Sequence, residues 1–344
     1  MAAPQRQAPV PESAPTGRAR VEFARTADAW DIALHRYRGQ RRDLPPLIIC
    51  PGYACNRHFV DFDERYSLAR FCARRGFDTW VLELRGRGYS EAVFGGGSRG
   101  WNFDDLVRFD VPAAIAYVRG RCEERRPVWI GHSMGGMVVY AALGQDPELG
   151  KSLSGLVTIA SPVGFPAVAS PLARGLGSLL LALPLPQRLP QRSVLVALWS
   201  VMAHSGRFPE VGMNRRNLDQ AAFGRALPLF MCNVARAKVQ QFTRWSLTGQ
   251  FRSNDGATDY RANLSRITTA ALIIAGAADQ LAPPETVGLA FDRLGSAEKL
   301  YREFARRQQD SADYGHVDLI FGRRAPEEVF PTISDWIENG LSRR

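Results

Sequence analysis

The chain has 344 residues, 45% of them hydrophobic and 23% charged. That composition excludes a disordered chain and suits one large α/β domain with an insertion, or two small domains, with a core that needs no disulfides. The formal net charge of +10 is nearly all arginine. It is dispersed, with no basic stretch interleaved by aromatics, so it reads as a solvated surface and nucleic acid is set aside as a partner.

Residues 1–18 are rich in Pro, Ala, Gln and Ser and lack an apolar core like that of a secretory leader. They read as a disordered tail, and a cytoplasmic location is expected. Residues 21–23 and 31–37 predict two short strands, with Thr26-Ala27-Asp28-Ala29 as the turn of an opening hairpin. Residues 47–50 are a continuous apolar strand ended by Pro51-Gly52. Residues 66–75 have helical spacing, and 79–84 form another buried strand running into the glycine-rich loop 85–90. Residues 103–119 predict a helix whose start is marked by Asp104, Asp105 and Asp110, with Pro112 kinking it or opening a new segment. The apolar strand that starts at Val128 and runs into the elbow follows, and then a strand at 156–160. From 162 to 262 the pattern is mainly helical, with many prolines and no clear strand. Residues 270–276 resume the strand series, 300–304 predict the last strand, and 327–341 a terminal helix. Apolar strands alternating with helices imply a mostly parallel, doubly covered sheet. The expected organisation is a core of 19–161 and 263–344, with 162–262 inserted as a helical cap before the strand at 270–276.

The five cysteines, Cys50, Cys55, Cys72, Cys122 and Cys232, are odd in number and irregularly spaced, without a CxxC pair. This argues against a disulfide framework and a zinc site, and for a reducing compartment. No uncharged apolar run approaches the length of a membrane span.

The most informative stretch is Gly131-His132-Ser133-Met134-Gly135-Gly136, entered from an apolar strand and left through an apolar helix. A serine on such a turn sits in a strained backbone conformation, so its neighbours two residues either side must be small. Gly131 and Gly135 satisfy that demand. Serine is a weak nucleophile and needs a base, and the base needs an orienting carboxylate. The chain offers five histidines. His132 lies inside the elbow, with its side chain expected to point away from Ser133. His35 lies in the opening hairpin, far from the carboxyl edge of the sheet. His58 follows the Pro-Gly loop and His204 lies in the cap. His316 follows the last strand, in a loop delivered to the same sheet edge as Ser133, and is taken as the base. Asp279, on the turn after the strand at 270–276, is taken as the acid; Asp255, Asp313 and Asp318 are the alternatives. The expected oxyanion donors are the backbone N–H groups of Met134, at the helix start, and Tyr53, in Pro51-Gly52-Tyr53-Ala54-Cys55. Gly52 permits close backbone approach.

With these residues in the order Ser, Asp, His, the chain resembles an α/β-hydrolase, and more narrowly the acid lipase branch, from about residue 21 to 337. The elbow carries the superfamily likeness. Trp101-Asn102-Phe103-Asp104-Asp105, Phe109-Asp110-Val111-Pro112-Ala113 and His316-Val317-Asp318-Leu319-Ile320-Phe321-Gly322 are similar to acid lipase segments. The branch usually has His-Gly at the oxyanion loop where this chain has Pro51-Gly52, and its members usually carry a secretory leader. The resemblance implies hydrolysis of carboxylic esters without metal or organic cofactor. Apolar runs at 177–186 and 194–202, with Phe223, Leu227, Leu229, Phe230 and Met231, could line an acyl pocket, touch a lipid interface, or pack the cap on itself. The expected substrate is a small, apolar acyl ester. Alternatives are a thioesterase or acyltransferase using the same triad, and a catalytically silent ligand-binding protein on the same fold.

Overall fold

A computed structural model describes residues 19–92, 100–165, 170–205 and 212–341; the expected tail, 1–18, lies outside them. Strands β1 (Arg20–Arg25) and β2 (Asp31–Tyr37) pair antiparallel, Val21 opposite His35 and Ala24 opposite Ile32. Thr26 closes the hairpin: its Oγ accepts the Trp30 N–H at 2.8 Å and its hydroxyl donates to Asp28 at 2.6 Å. The central strands are β3 (Leu47–Cys50), β4 (Thr79–Glu83), β5 (Val128–His132) and β6 (Gly155–Ile159). A two-residue pair follows, β7 (Arg188–Leu189) with β8 (Val234–Ala235), a small antiparallel ladder that the proline-rich sequence did not advertise. β9 (Ala271–Gly276) and β10 (Lys299–Phe304) complete the main sheet.

The eight-stranded sheet runs β1-β2-β4-β3-β5-β6-β9-β10, parallel from β4 onward. Every residue of β3, β4, β5, β6 and β9 is buried, as their unbroken apolar runs require of strands covered on both faces. The fold is the expected α/β-hydrolase architecture. The chain steps outward from β3 to β4 and then returns to β5 on the other side of β3. The carboxyl ends of β3 and β5 therefore flank the crevice where open α/β sheets bind ligands.

Two local expectations change. The glycine-rich loop after β4 contains a short helix, Gly88–Ala92. The helix expected over 103–119, with Pro112 kinking it or opening a new segment, is three segments: Phe103–Asp105, a wide π turn at Leu106–Asp110, and Val111–Arg121, which Pro112 helps to open. Asn102 and Asp105 form a reciprocal capping box at its start. Pro112 lacks an N–H and its ring crowds the preceding turn, so the helix widens just before it. The widening turns Asp110 inward. Asp110 is fully buried and accepts from Arg85 N at 2.9 Å and Arg85 Nε at 2.7 Å. It is a core ion-pair partner of Arg85 and not a marker of the helix start.

Among the described residues between β6 and β9 lie four longer helices: Pro171–Ala182, Gln191–Ser205, Gln220–Phe230 and Arg236–Thr248. The first two present apolar residues to solvent at helical spacing: Leu172, Leu176 and Leu179 on one, Val194, Leu198 and Val201 on the other. These side chains neither pack the insertion on itself nor line an interior pocket.

Candidate active site

Ser133 follows β5 directly and has φ 52° and ψ −122°, a strained conformation for a residue with a side chain. Its N–H donates to Ile159 O at 2.7 Å, and its carbonyl accepts from Gly136 N at 3.0 Å and Met137 N at 3.2 Å. The turn is therefore pinned between β6 and the new helix, Met134–Gln145. A Cβ on Gly131 would overlap the backbone of Gly135 and Gly136; one on Gly135 would overlap Cys50 O. Both positions tolerate only glycine, as the sharp turn demands. The start of the helix favours negative charge beside Ser133.

Asp279 and His316 arrive on the loops after β9 and β10. Asp279 Oδ1 accepts from the N–H groups of Leu281 and Ala282, each at 2.8 Å. That turn leaves Oδ2 to face His316 Nδ1 at 2.8 Å. Both side chains are buried. An imidazole donating through Nδ1 to a carboxylate carries its lone pair on Nε2, the state a general base needs. Among the described residues no hydrogen bond joins Ser133 Oγ to His316; such bonds are often long before substrate binds. His132 packs on the back of the loop that carries His316. Its ring lies 4.8 Å from that of His316 and its Nε2 stands 3.0 Å from His316 O. Burial, then the neighbouring His316, push its pKa from 6.5 down to about 3.

The three other carboxylates weighed as the acid have other work. Asp318 is buried and accepts from Gly315 N, Asn214 N and Asn217 Nδ2, holding the histidine loop in place; burial raises its pKa. Asp313 accepts from Arg306 N, and Asp255 closes the turn at Ser253 and Ala257. Of the remaining histidines, His35 is buried with its Nε2 3.0 Å from Glu83, and His58 lines a small cleft with Asn56 and Tyr89. The His204 side chain lies outside the described residues.

The loop after β3 rests on the elbow. A Cβ on Gly52 would stand 3.0 Å from His132 Nδ1 and 3.1 Å from Ser133 Cβ. Among the described residues neither Tyr53 N–H nor Met134 N–H finds an acceptor. Two fastenings of this loop were not visible in the sequence. Arg87, buried in the loop after β4, donates to Gly52 O at 2.8 Å and Cys55 O at 3.3 Å and reaches Met134 Sδ at 3.7 Å. The inserted helices hold the other side: Asn56 N donates to Phe230 O, Asn56 Nδ2 to Leu229 O, and Cys232 N to Ala54 O. The only sequence hint of the first was an arginine pair among glycines after a buried strand. The second is a contact between distant segments that no local pattern encodes.

All five cysteines are free and buried, and burial pushes the thiols of Cys50, Cys55 and Cys72 up to about 12. An open cleft of about 800 Å³ is lined by Asp279 together with Asn214, Pro283 and Arg306. Ser133, Tyr53 and His316 are not among its walls. No helix among the described residues is long and apolar enough to cross a membrane.

Residues 45–323 match the family model described as alpha/beta hydrolase fold. Gastric triacylglycerol lipase of Rattus norvegicus is 24% identical over 301 residues, covering 77% of this chain and 72% of that protein. Lysosomal acid lipase/cholesteryl ester hydrolase of Rattus norvegicus is 28% identical over 163 residues, covering 43% and 41%. The solved esterase from Exiguobacterium antarcticum superposes with a TM-score of 0.60 at 16% identity, covering 92% of this chain and 98% of that one, a likeness of fold. The protein is a member of the α/β-hydrolase fold family, related to lipases and esterases and distantly homologous to the gastric and lysosomal acid lipases.

Proposed function

We propose that this protein is a serine hydrolase that cleaves carboxylic esters through an acyl-serine intermediate. The observation that carries the reading is the 2.8 Å pairing of Asp279 Oδ2 with His316 Nδ1 beside a strained elbow serine. In this reading His316 Nε2 takes the Ser133 hydroxyl proton as Oγ attacks the ester carbonyl carbon. The Tyr53 and Met134 N–H groups receive the carbonyl oxygen as it becomes an oxyanion, and Asp279 stabilises the imidazolium. The imidazolium then protonates the departing alkoxide. A water then attacks the acyl carbon as it loses its proton to His316, and the imidazolium returns that proton to Ser133 Oγ as the C–Oγ bond breaks and the carboxylic acid leaves. Backbone hydrogen bonds already fix Ser133 and Asp279, and Asp279 fixes His316, so little reorganisation of the three is needed at the moment of reaction.

Residues 162–262 serve in this account as a cap over the carboxyl edge of the sheet, fastened to the oxyanion loop through residues 229–232. The exposed apolar stripes of its first two helices fit weak contact with a lipid surface. The test is Ser133→Ala. It should abolish hydrolysis of p-nitrophenyl esters while leaving the circular dichroism spectrum and melting temperature intact. Undiminished turnover by that variant would refute the assignment.

A further inference from the structure

Beside the oxyanion loop stands a buried lysine that the reaction as drawn does not use. Lys238, on the Arg236–Thr248 helix, is 1% exposed. Its Nζ lies 4.3 Å from the centre of the Tyr53 ring and 5.1 Å from that of Trp101. Tyr53 also packs on Phe242, with ring centres 5.0 Å apart, so the ammonium sits at the edge of an aromatic wall. Among the described residues no hydrogen bond or carboxylate reaches Nζ. The charged side chain that acts on it is another buried cation, Arg87, whose contacts are carbonyl oxygens and a thioether sulfur.

A buried charge without a counter-charge is costly, and a methionine would fill the same space without that cost. A buried amine that feels a like-charged guanidinium and no carboxylate describes a site that would take an anion. Burial and Arg87 drive the Lys238 pKa well below its usual value. An arriving carboxylate would restore the ammonium and gain a charge-assisted hydrogen bond.

We propose that Lys238 is a substrate-binding residue that receives a carboxylate carried on the acyl chain of the ester. The inference rests on the ester hydrolase reading and names its substrate class: half-esters of short diacids, in preference to plain fatty esters. Tyr53 offers its N–H to the carbonyl oxygen and its ring to the ammonium. The two acceptors on the substrate are therefore met by the backbone and the ring of one residue, an arrangement that calls for a short diacid chain.

The experiment compares kcat/KM for mono-p-nitrophenyl glutarate and p-nitrophenyl pentanoate, an acyl pair of equal length differing in the terminal charge. The native chain should favour the glutarate. In Lys238→Met the glutarate-to-pentanoate ratio should fall by about tenfold to a hundredfold, the worth of one charged hydrogen bond. Lys238→Arg should keep most of the preference. As a readout independent of turnover, calorimetry on Ser133→Ala should detect monomethyl glutarate binding that the double variant with Lys238→Met loses. Hydrolysis of both esters with a ratio unmoved by Lys238→Met, or an equal loss on both, would overturn the proposal while leaving the hydrolase reading standing. Failure of the native chain to cleave either ester would take down both.

Discussion

Replacing Asp279 by asparagine separates orientation of the imidazole from its mere presence. The Asp279 carboxylate divides its work: Oδ1 accepts two backbone N–H groups at 2.8 Å, and Oδ2 takes His316 Nδ1 at 2.8 Å. An asparagine must keep its carbonyl oxygen toward Leu281 and Ala282, because a flipped amide would set N–H against N–H. Its NH₂ group then faces His316 Nδ1 and donates to it. The ring proton moves to Nε2, and the nitrogen that should deprotonate Ser133 becomes a donor. Where that tautomer switch has been imposed on a Ser-His-Asp triad the loss in kcat is about 10⁴, or about 5.5 kcal/mol of transition-state stabilisation. KM should change little, since no substrate contact is removed. Loss of one charge-assisted bond should lower stability by about 1.5–3 kcal/mol. Steady-state kinetics on a p-nitrophenyl ester, with denaturant unfolding alongside, reads both. A variant keeping more than a tenth of native kcat would refute the orientation argument.

Three other outcomes are expected. Arg87→Met frees the carbonyls of Gly52 and Cys55 and loosens the oxyanion loop, so kcat should fall by about tenfold to a hundredfold, short of the full loss of a donor; unchanged kcat would show that the loop holds without it. His132 gives a pH signature in stability. Below pH 6.5 the unfolded chain protonates this histidine, while the folded one refuses the proton down to about pH 3, so native stability falls with pH across that window by about 1.4 kcal/mol per unit. Asp110 runs the opposite way: burial lifts its carboxyl from 3.8 to about 6, so it contributes stability below 3.8 that is lost as pH rises toward 6. The native profile alone therefore hides both. The native-minus-His132→Gln difference in unfolding free energy isolates the first, and should shrink by up to about 2 kcal/mol between pH 7 and pH 5; a constant difference would contradict it. Leu176→Glu should reduce adsorption to phospholipid vesicles severalfold and leave hydrolysis of a soluble ester alone; equal adsorption would remove the lipid-surface role.

The sheet and the elbow were legible because they obey strict local rules. Residues 47–50, 270–276 and the run from Val128 into Gly131 are apolar stretches too short for helices and bounded by turn residues. Only glycine fits at 131 and 135, so the elbow announces itself in five letters. Chain order then singled out Asp279 and His316, since each follows a strand whose carboxyl end must meet the elbow. What the sequence hid depends on contacts between distant segments. Asp110 looks like a helix-start acid until the π turn before Pro112 rotates it onto Arg85. Arg87 reads as surface charge among glycines until the loop after β3 closes over it. Lys238 sits in a helical pattern that gives no sign of what it faces. The leucines at 172, 176 and 179 have the spacing of a buried stripe and yet meet solvent, because spacing defines a face without saying what covers it.

The most direct measurement is labelling with a fluorophosphonate followed by peptide mapping, because the probe bonds only to a serine whose proton is being drawn off. The account predicts a single adduct, on the peptide holding Ser133, absent from Ser133→Ala and formed far more slowly in His316→Ala. An adduct on another serine, or none on the folded native chain, would contradict it.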